Sequence, residues 1–409
     1  MVVRKEKSKT VEDVEESESG KVWETTASQP GPFTPSPPLP PEILDIIFGY
    51  VESITSSITL HRFLPAMLLV CKAWYEVGAW RLYSTLSLGE LWTMRPLEDG
   101  GDKRCEALLR VMQNNPRLAL RVKHLRLGLC NQHAEDLVRH ARLIRLCKDV
   151  EHLEIVGYGA HRWNELKDAV KDVDPVQVTF SQISAPSSKI LSTIAHWSRL
   201  REVELYNISD DNFREDVSPT IPLHLKGCCP FLREVKIRFQ EYSGAIHPNY
   251  VLHLSELAPN VEVLSFDSRT VNSRIVEVIR TCLVRWSPTL TQLFLLGRSV
   301  VTSIDDICPE LRNLQSLSVS SSAIRPSSLI NLKNLEFLYY CSTRLDNKQL
   351  VGSLKNEEFL PSLKALTVVP ASSIPASDKK SYRDCALTMH DICKDRRIDF
   401  PSYCFDSVV

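Results

Sequence analysis

The sequence predicts an α/β chain: a small all-helical module followed by an irregular solenoid, with parallel strands on its inner, concave side and helices outside. Three observations lead there. Two apolar helical runs lie close together between Leu39 and Leu88. A three-point apolar signature then recurs along the rest of the chain at spacings of 21 to 32 residues. Helix-like patterns fill the intervals between its copies, as one strand and one helix per turn require.

Composition sets the outer bounds. The chain has 409 residues and 43% hydrophobic content, room for a large core or for two to three domains. With 49 basic and 50 acidic residues the formal charge is -1, so no global field draws it to nucleic acid or an anionic membrane, and neither partner is expected. The first ten residues, M-V-V-R-K-E-K-S-K-T, are charged with no apolar run behind them. Neither a secretory signal nor a transmembrane start is expected, and the expected location is cytoplasmic or nuclear. Twelve cysteines are scattered without C-x-x-C spacing. Cys71, Cys147 and Cys282 sit among apolar neighbours and read as small buried thiols rather than disulfide partners. The sequon Asn207-Ile208-Ser209 then lacks the secretory route that would give it meaning.

Residues 1–37 mix charges and run into P-G-P-F-T-P-S-P-P. This composition cannot bury enough apolar surface to offset the entropy of ordering, so a disordered, proline-rich arm is expected. The helical module occupies 38–88. Its first run, L-P-P-E-I-L-D-I-I-F, puts Pro40 and Pro41 where a helix start tolerates a missing N–H, and Ile43, Leu44, Ile47 and Phe48 recur at helical spacing. Leu68, Leu69, Val70, Cys71, Trp74 and Val77 follow the same period. Helices with apolar faces this wide either pack on their own domain or dock on another protein.

These residues resemble the F-box, the helical module by which substrate receptors attach to the Skp-type adaptor of cullin-RING ubiquitin ligases. The resemblance implies that Leu39, Pro40, Ile43, Leu44, Ile47, Val70, Cys71 and Trp74 contact such an adaptor and, through it, a cullin. The spacer Glu52–Phe63 departs from the family pattern: it is several residues longer than usual and lacks the common Asp-Leu-Leu start of the second helix. An ordinary amphipathic pair inside a core is the other reading of the same residues.

The solenoid is expected over 89–402. Its triples are Val122/Leu125/Leu127, Val150/Leu153/Ile155, Val173/Val176/Val178, Leu200/Val203/Leu205, Leu232/Val235/Ile237, Val261/Leu264/Phe266, Leu290/Leu293/Leu295, Leu314/Leu317/Val319, Leu335/Leu338/Tyr340 and Leu363/Leu366/Val368. The last two points of each are two apart, as one face of a strand requires. Helices are expected at 134–146, 188–197, 250–257 and 272–286. Pro230, Pro259, Pro288 and Pro361 stand two residues before a first point, where each stops a helix and starts a strand in phase. The pattern is similar to the leucine-rich repeats of F-box proteins, with one departure. The Asn or Cys that the regular repeat carries three residues past the last point is present only as Cys130, so the turns must be held otherwise. Lys379 to Phe400 reads as one more helix and strand that caps the array, and 403–409 as a loose tail.

No catalytic constellation emerges. Gly157-Tyr158-Gly159 lacks the third glycine of a dinucleotide turn, with Arg162 in its place. No Walker loop, zinc-protease motif or nucleophile elbow is present, and His133/His140 and His247/His253 read as surface or helix-face residues. No metal and no cofactor are expected. The vicinal pair Cys228-Cys229 reads as a helix-to-strand corner, with a redox pair as the alternative. The basic cluster Arg117, Arg121, Lys123, Arg126, Arg139, Arg142, Arg145 and Lys148 reads as solvated flanks, or as a site for an acidic partner.

The chain is therefore expected to be a non-catalytic substrate-receptor subunit. Outward strand residues would take the protein target: Arg126, Tyr206, Arg238, Asp267, Phe294 and Tyr339, with His124, Glu204, Lys236, Leu296 and Cys341 beside them. A repeat scaffold outside ubiquitin transfer, with the helical pair as its cap, is the alternative.

Overall fold

The computed structural model describes residues 39–54, 66–88, 100–128, 134–157, 160–183, 185, 187–208, 221–239, 248–268, 273–296, 303–370 and 379–401. The expected arm, most of the Glu52–Phe63 spacer, Cys130 and the tail at 403–409 lie outside them.

Helix α1 (Pro41–Ile54) starts at the paired prolines, and the N–H groups of Ile43 and Leu44 both donate to the Pro40 carbonyl. The second apolar run is not one helix. A helical turn at 66–68 ends at Leu69 and Val70, and α2 (Lys72–Ser84) begins only after Cys71, whose backbone is fully extended. This break takes Leu69 and Val70 out of the stripe that carries Trp74 and Val77. Helix α2 then passes directly into strand β1 (Thr85–Leu88), so the sheet begins inside the stretch assigned to the module.

The remaining strands are β2 (His124–Gly128), β3 (His152–Val156), β4 (Gln177–Ser181), β5 (Glu202–Tyr206), β6 (Glu234–Phe239), β7 (Val263–Ser268), β8 (Gln292–Leu296), β9 (Ser316–Ser320), β10 (Phe337–Ser342) and β11 (Ala365–Pro370). The eleven strands form one sheet in strict chain order, and every adjacent pair is parallel. Parallel neighbours need crossovers, which here include helices Ala134–Leu146, Ala160–Lys171, Ser187–Ile194, Pro248–Leu257, Ser273–Trp286 and Arg344–Leu354. Strands pack about 4.8 Å apart but helices need about 8–10 Å, so the helical layer takes the outer circumference and the sheet the concave one.

A doubled backbone bond at each strand start ties the turns together. The Lys123 carbonyl accepts from the N–H groups of Glu151 (2.8 Å) and His152 (2.9 Å). The same arrangement recurs at the carbonyls of Glu151, Val176, Arg201, Arg233, Glu262, Thr291, Gln315 and Glu336. Side chains just before the strands supply what the missing Asn or Cys would have done. Asn260, Asn313 and Asn334 donate to the carbonyls of Pro230 (3.2 Å), Pro288 (2.8 Å) and Arg312 (2.7 Å), and the Thr289 hydroxyl donates to that of Val261 (2.7 Å). Past the strands, Gly157, Gln182 and Asn207 share a positive φ, and each N–H donates to a carbonyl at the end of the next strand, on Ser181, Tyr206 and Arg238. Gly157 is thus a strand exit, where glycine relieves the steric cost of that backbone, and Asn207 is buried in the equivalent turn.

Nine of the ten expected triples lie on this ladder with all three points buried. The third is corrected. Leu153 pairs with Val178 and Ile155 with Phe180, so its points are Pro175, Val178 and Phe180 rather than Val173, Val176 and Val178. Three valines at the same three-point spacing hid a two-residue slip. Val176 is the ladder carbonyl, while Phe180 fills the core against Trp163 and Trp197 at centroid distances of 5.5 and 6.2 Å. The helices at Ala134–Leu146, Ser187–Ile194, Pro248–Leu257 and Ser273–Trp286 match the expected ones to within three residues. In the two shortest repeats, of 24 and 21 residues, 3₁₀ turns at Asp305–Glu310 and Pro326–Asn331 replace the α-helix. At the carboxyl end helix Lys379–Asp395 packs over the last turn, but the expected twelfth strand is a single bridge between Asp399 and Ala365. Arg396 fastens this cap by donating to the carbonyls of Leu354, Phe359 and Leu360.

The register can be checked on two adjacent residues. Leu293 is wholly buried and Phe294 faces out, so Leu293→Ala should cost about 2–5 kcal/mol and Phe294→Ala less than about 1 kcal/mol. Thermal unfolding of the two variants checks this, and the opposite ranking would disprove the assigned face.

Candidate functional site

Two surfaces of different construction stand out. The first is the helical module. Leu44 and Phe48 form its own small core with Met67, Ala73, Trp74, Val77 and Leu82, separate from the core of the solenoid. Trp74 meets Phe48 edge to face at 5.5 Å. Gly78 admits this packing, since a Cβ there would stand 2.4 Å from Leu68 and 2.9 Å from Phe48. Arg81 clamps the helices together through the carboxylate (2.9 Å) and backbone carbonyl (3.0 Å) of Asp45.

The eight residues named for adaptor docking therefore divide. Leu39, Pro40, Ile43, Val70 and Cys71 are exposed, and Ile47 and Trp74 are half-buried. Leu44 is corrected from a docking residue to a core residue, because it shares the inward face of α1 with Phe48 one turn on. The exposed apolar set also holds residues not named for docking: Ile46 and Tyr50 on α1, Leu69 in the turn, and Tyr75 and Trp80 on α2. Leu69 is 86% exposed and Ile46 66%. The periodicity of α1 contained this signal, since Ile43, Ile46 and Tyr50 line one face while Leu44 and Phe48 line another.

The second surface is the outward face of the sheet. The register sets its residues in rows, one running Arg126, Glu154, Thr179, Glu204, Lys236, Ser265, Phe294, Ser318, Tyr339 and Thr367 from β2 to β11. Tyr206, Arg238 and Asp267 are adjacent in the next row. All six residues named for target binding thus lie on one face. Its first half is charged and internally paired: Arg126 with Glu154 (3.3 Å), Lys236 with Glu202 (2.7 Å) and Glu234 (2.8 Å), and Arg238 with Glu204 (3.5 Å). Burial pushes the Glu154 carboxyl above the usual carboxylate value, opposed by Arg126 and reinforced by Glu204. Lys236 is raised as its bonds to Glu202 and Glu234 outweigh the opposing effect of burial. From β8 to β11 the face is uncharged: Phe294, Phe337 and Tyr339 stand around the serines of β9.

The basic cluster of the first repeats is dispersed. Lys123 pairs with Glu151, Arg126 with Glu154 and Arg145 with Asp172, and the Arg121 guanidinium lies over Trp80 at 5.8 Å. His140 and His253, read as surface or helix-face residues, lie on helices Ala134–Leu146 and Pro248–Leu257 and are buried. The vicinal thiols are a corner: Cys229 is buried, its thiol pushed up to about 12 by that burial and then by Cys228. Cys147 and Cys308 are likewise raised to about 12 by burial, which keeps them protonated. None of the ten described cysteines is in a disulfide; Cys147 and Cys282 are buried as expected, whereas Cys71, expected to be buried, is exposed where the backbone extends before α2. Among the described residues no group of three or more His, Cys, Asp or Glu side chains could hold a metal. A recess of about 580 Å³ on the helical side has a single cation in its wall, Arg325, already held by Asp305.

A parallel sheet of one strand per turn, backed by helices and filled by the Φ-x-x-Φ-x-Φ ladder, is the architecture of a leucine-rich-repeat solenoid, and such a surface suits a protein-binding scaffold. No protein-family model and no curated protein matches the chain. Among solved structures it is similar to TLR13 in a complex with ssRNA13, at 14% identity and a TM-score of 0.38 over 64% of this chain. It spans 35% of that TLR13 chain. It is also similar to a leucine-rich-repeat protein of Leptospira interrogans, at 12% identity and a TM-score of 0.19, covering 72% of this chain and 98% of that one. The fold assignment rests on the strand ladder and not on these likenesses.

One titration on the sheet face is testable. Burial, then the nearby His124, hold the His152 imidazole below its ordinary value of 6.5, against a smaller upward pull from Glu202. Its Nε2 lies 3.3 Å from the Thr179 hydroxyl. As pH falls through 6.5 the unfolded chain takes up a proton that the folded chain resists, so this stability is lost from there down to the depressed folded value. Between about pH 7 and about pH 5 the melting temperature should therefore fall less in His152→Gln than in the wild type; equal slopes would remove His152 from the account.

Proposed function

We propose that this chain is a non-catalytic substrate receptor of a Skp-cullin-F-box ubiquitin ligase, working in the cytoplasm or nucleus. Its helical module docks on a Skp-type adaptor and its concave sheet holds a protein target. The observation that carries the reading is the module's double construction. Leu44 and Phe48, with Trp74 packed against them, make a core apart from that of the solenoid, and Leu39, Ile43, Ile46, Leu69 and Val70 remain as exposed apolar surface. The resemblance of L-P-P-E-I-L-D-I-I-F and V-C-K-A-W to the F-box names the partner that such a surface fits. A receptor of this kind needs no nucleophile. It raises the local concentration of a target lysine beside a partner enzyme's activated ubiquitin, and its contribution to rate is proximity.

A second reading, a repeat scaffold with the module as its cap, is favoured by the direct passage of α2 into β1. The Lys123 N–H donates to the Ser84 carbonyl (2.8 Å) and Arg121 covers Trp80, so the module also closes the first edge of the sheet.

Binding to a purified Skp-type adaptor separates the two. Burying one such aliphatic side chain is worth about 1.5–3 kcal/mol, so Ile43→Asp with Val70→Asp should weaken docking at least about a hundredfold. Both residues are exposed, and the melting temperature should stay within about 2 °C of the wild type. Undiminished adaptor binding by this variant, or none by the wild type, would leave the scaffold reading in place. Leu44→Asp is unsuitable as the probe because it unfolds the module's core.

A further inference from the structure

Among the described residues, the concave face has carboxylates to spare and no cation to spare. Its outward positions on β2 to β7 hold three cations, Arg126, Lys236 and Arg238, against five carboxylates, Glu154, Glu202, Glu204, Glu234 and Asp267. Each cation is engaged by a glutamate of the same face, and Lys236 is shared by two. Asp267, half-buried on β7, has no ion-pair partner among the described residues. The last charged position before the neutral half is therefore an outward-facing carboxylate that pairs with no described residue, its register neighbour Arg238 being engaged by Glu204.

The neutral half begins one strand further. Phe294 on β8 is the neighbour of Ser265, two residues before Asp267, which sets it about 7–8 Å diagonally from that carboxylate's Cα. Beyond it, the outward positions of β9 are Ser316, half-buried, and Ser318 and Ser320, 7% and 8% exposed, while β10 presents Phe337 and Tyr339, 48% and 39% exposed. Phe294, Ser318 and Tyr339 are in register, so two rings flank a strand of short side chains across about 10 Å, twice the strand spacing. This makes an apolar patch of two rings on either side of short, largely covered serines, with a carboxylate near one end.

We propose that this patch and Asp267 together bind an extended segment of a partner protein. An apolar side chain of the segment packs against the exposed rings of Phe294 and Tyr339, and a lysine or arginine a few residues away reaches Asp267. Charge complementarity selects this occupant: a polyanion such as single-stranded RNA would meet a face whose carboxylates outnumber its cations, all of them taken. The inference deepens the target-capture half of the proposed function and is independent of the adaptor contact.

Selection of a random dodecapeptide phage library on the full chain, followed by fluorescence anisotropy of the recovered peptides, tests it. The expected result is enrichment of peptides carrying a lysine or arginine within a few residues of an aliphatic or aromatic one. Tyr339→Ala and Phe294→Ala should each weaken binding about tenfold, and Asp267→Asn about fivefold, with the remaining affinity less sensitive to salt. Ile43→Asp with Val70→Asp should leave peptide affinity unchanged while abolishing adaptor binding, which separates failure of this site from failure of the receptor assignment. Enrichment of acidic peptides, enrichment of none, indifference to all three sheet variants, or tighter binding of a poly(U) oligonucleotide than of any peptide would each overturn the proposal.

Discussion

The doubled hydrogen bond at each strand start is the constraint on which the rest of the molecule depends. One carbonyl of each turn receives two successive N–H groups of the next, from Lys123 to Glu336. That fixes where a strand begins relative to its neighbour, and with a two-residue period it also fixes which side chains go in and which go out. The buried points and the outward rows are both readouts of this register. So is the pairing of Arg126 with Glu154 and of Arg238 with Glu204, because charges on adjacent parallel strands meet only if the strands start together.

Much of this was legible in the residues because the solenoid repeats its own evidence at every turn. Nine triples and four helices could be placed from apolar spacing and from prolines such as Pro230 and Pro259, which mark the corner between helix and strand. The exceptions have physical reasons. Val173, Val176 and Val178 repeat the same three-point spacing two residues too early, and only the neighbouring pairs Leu153–Val178 and Ile155–Phe180 reveal where along the chain the strand begins. The side chains that stitch the turns, Asn260, Asn313 and Asn334, sit before the strand rather than after it, so a search at the regular position passes over them.

The docking residues were harder to read because apolarity does not say which way a side chain points. Leu44 and Ile43 are adjacent and equally apolar, yet one is wholly buried and the other exposed. The extended backbone at Cys71 separates the residues before it from the helix after it, and no periodicity predicts that break. On the sheet the reverse holds. Once strands were recognised, alternation alone assigned Arg126, Tyr206, Arg238, Asp267, Phe294 and Tyr339 to one face. Their chemistry as a set became visible only when the register showed which charges cancel.

The two repeats closed by 3₁₀ turns carry a further consequence. A 3₁₀ turn is a slimmer backing than an α-helix, so the sheet needs less curvature to fit around it at β9 and β10 than at the full helices to either side. The thinnest stretch of the solenoid wall is thus also the one where the outward side chains of a whole strand, Ser316, Ser318 and Ser320, are short.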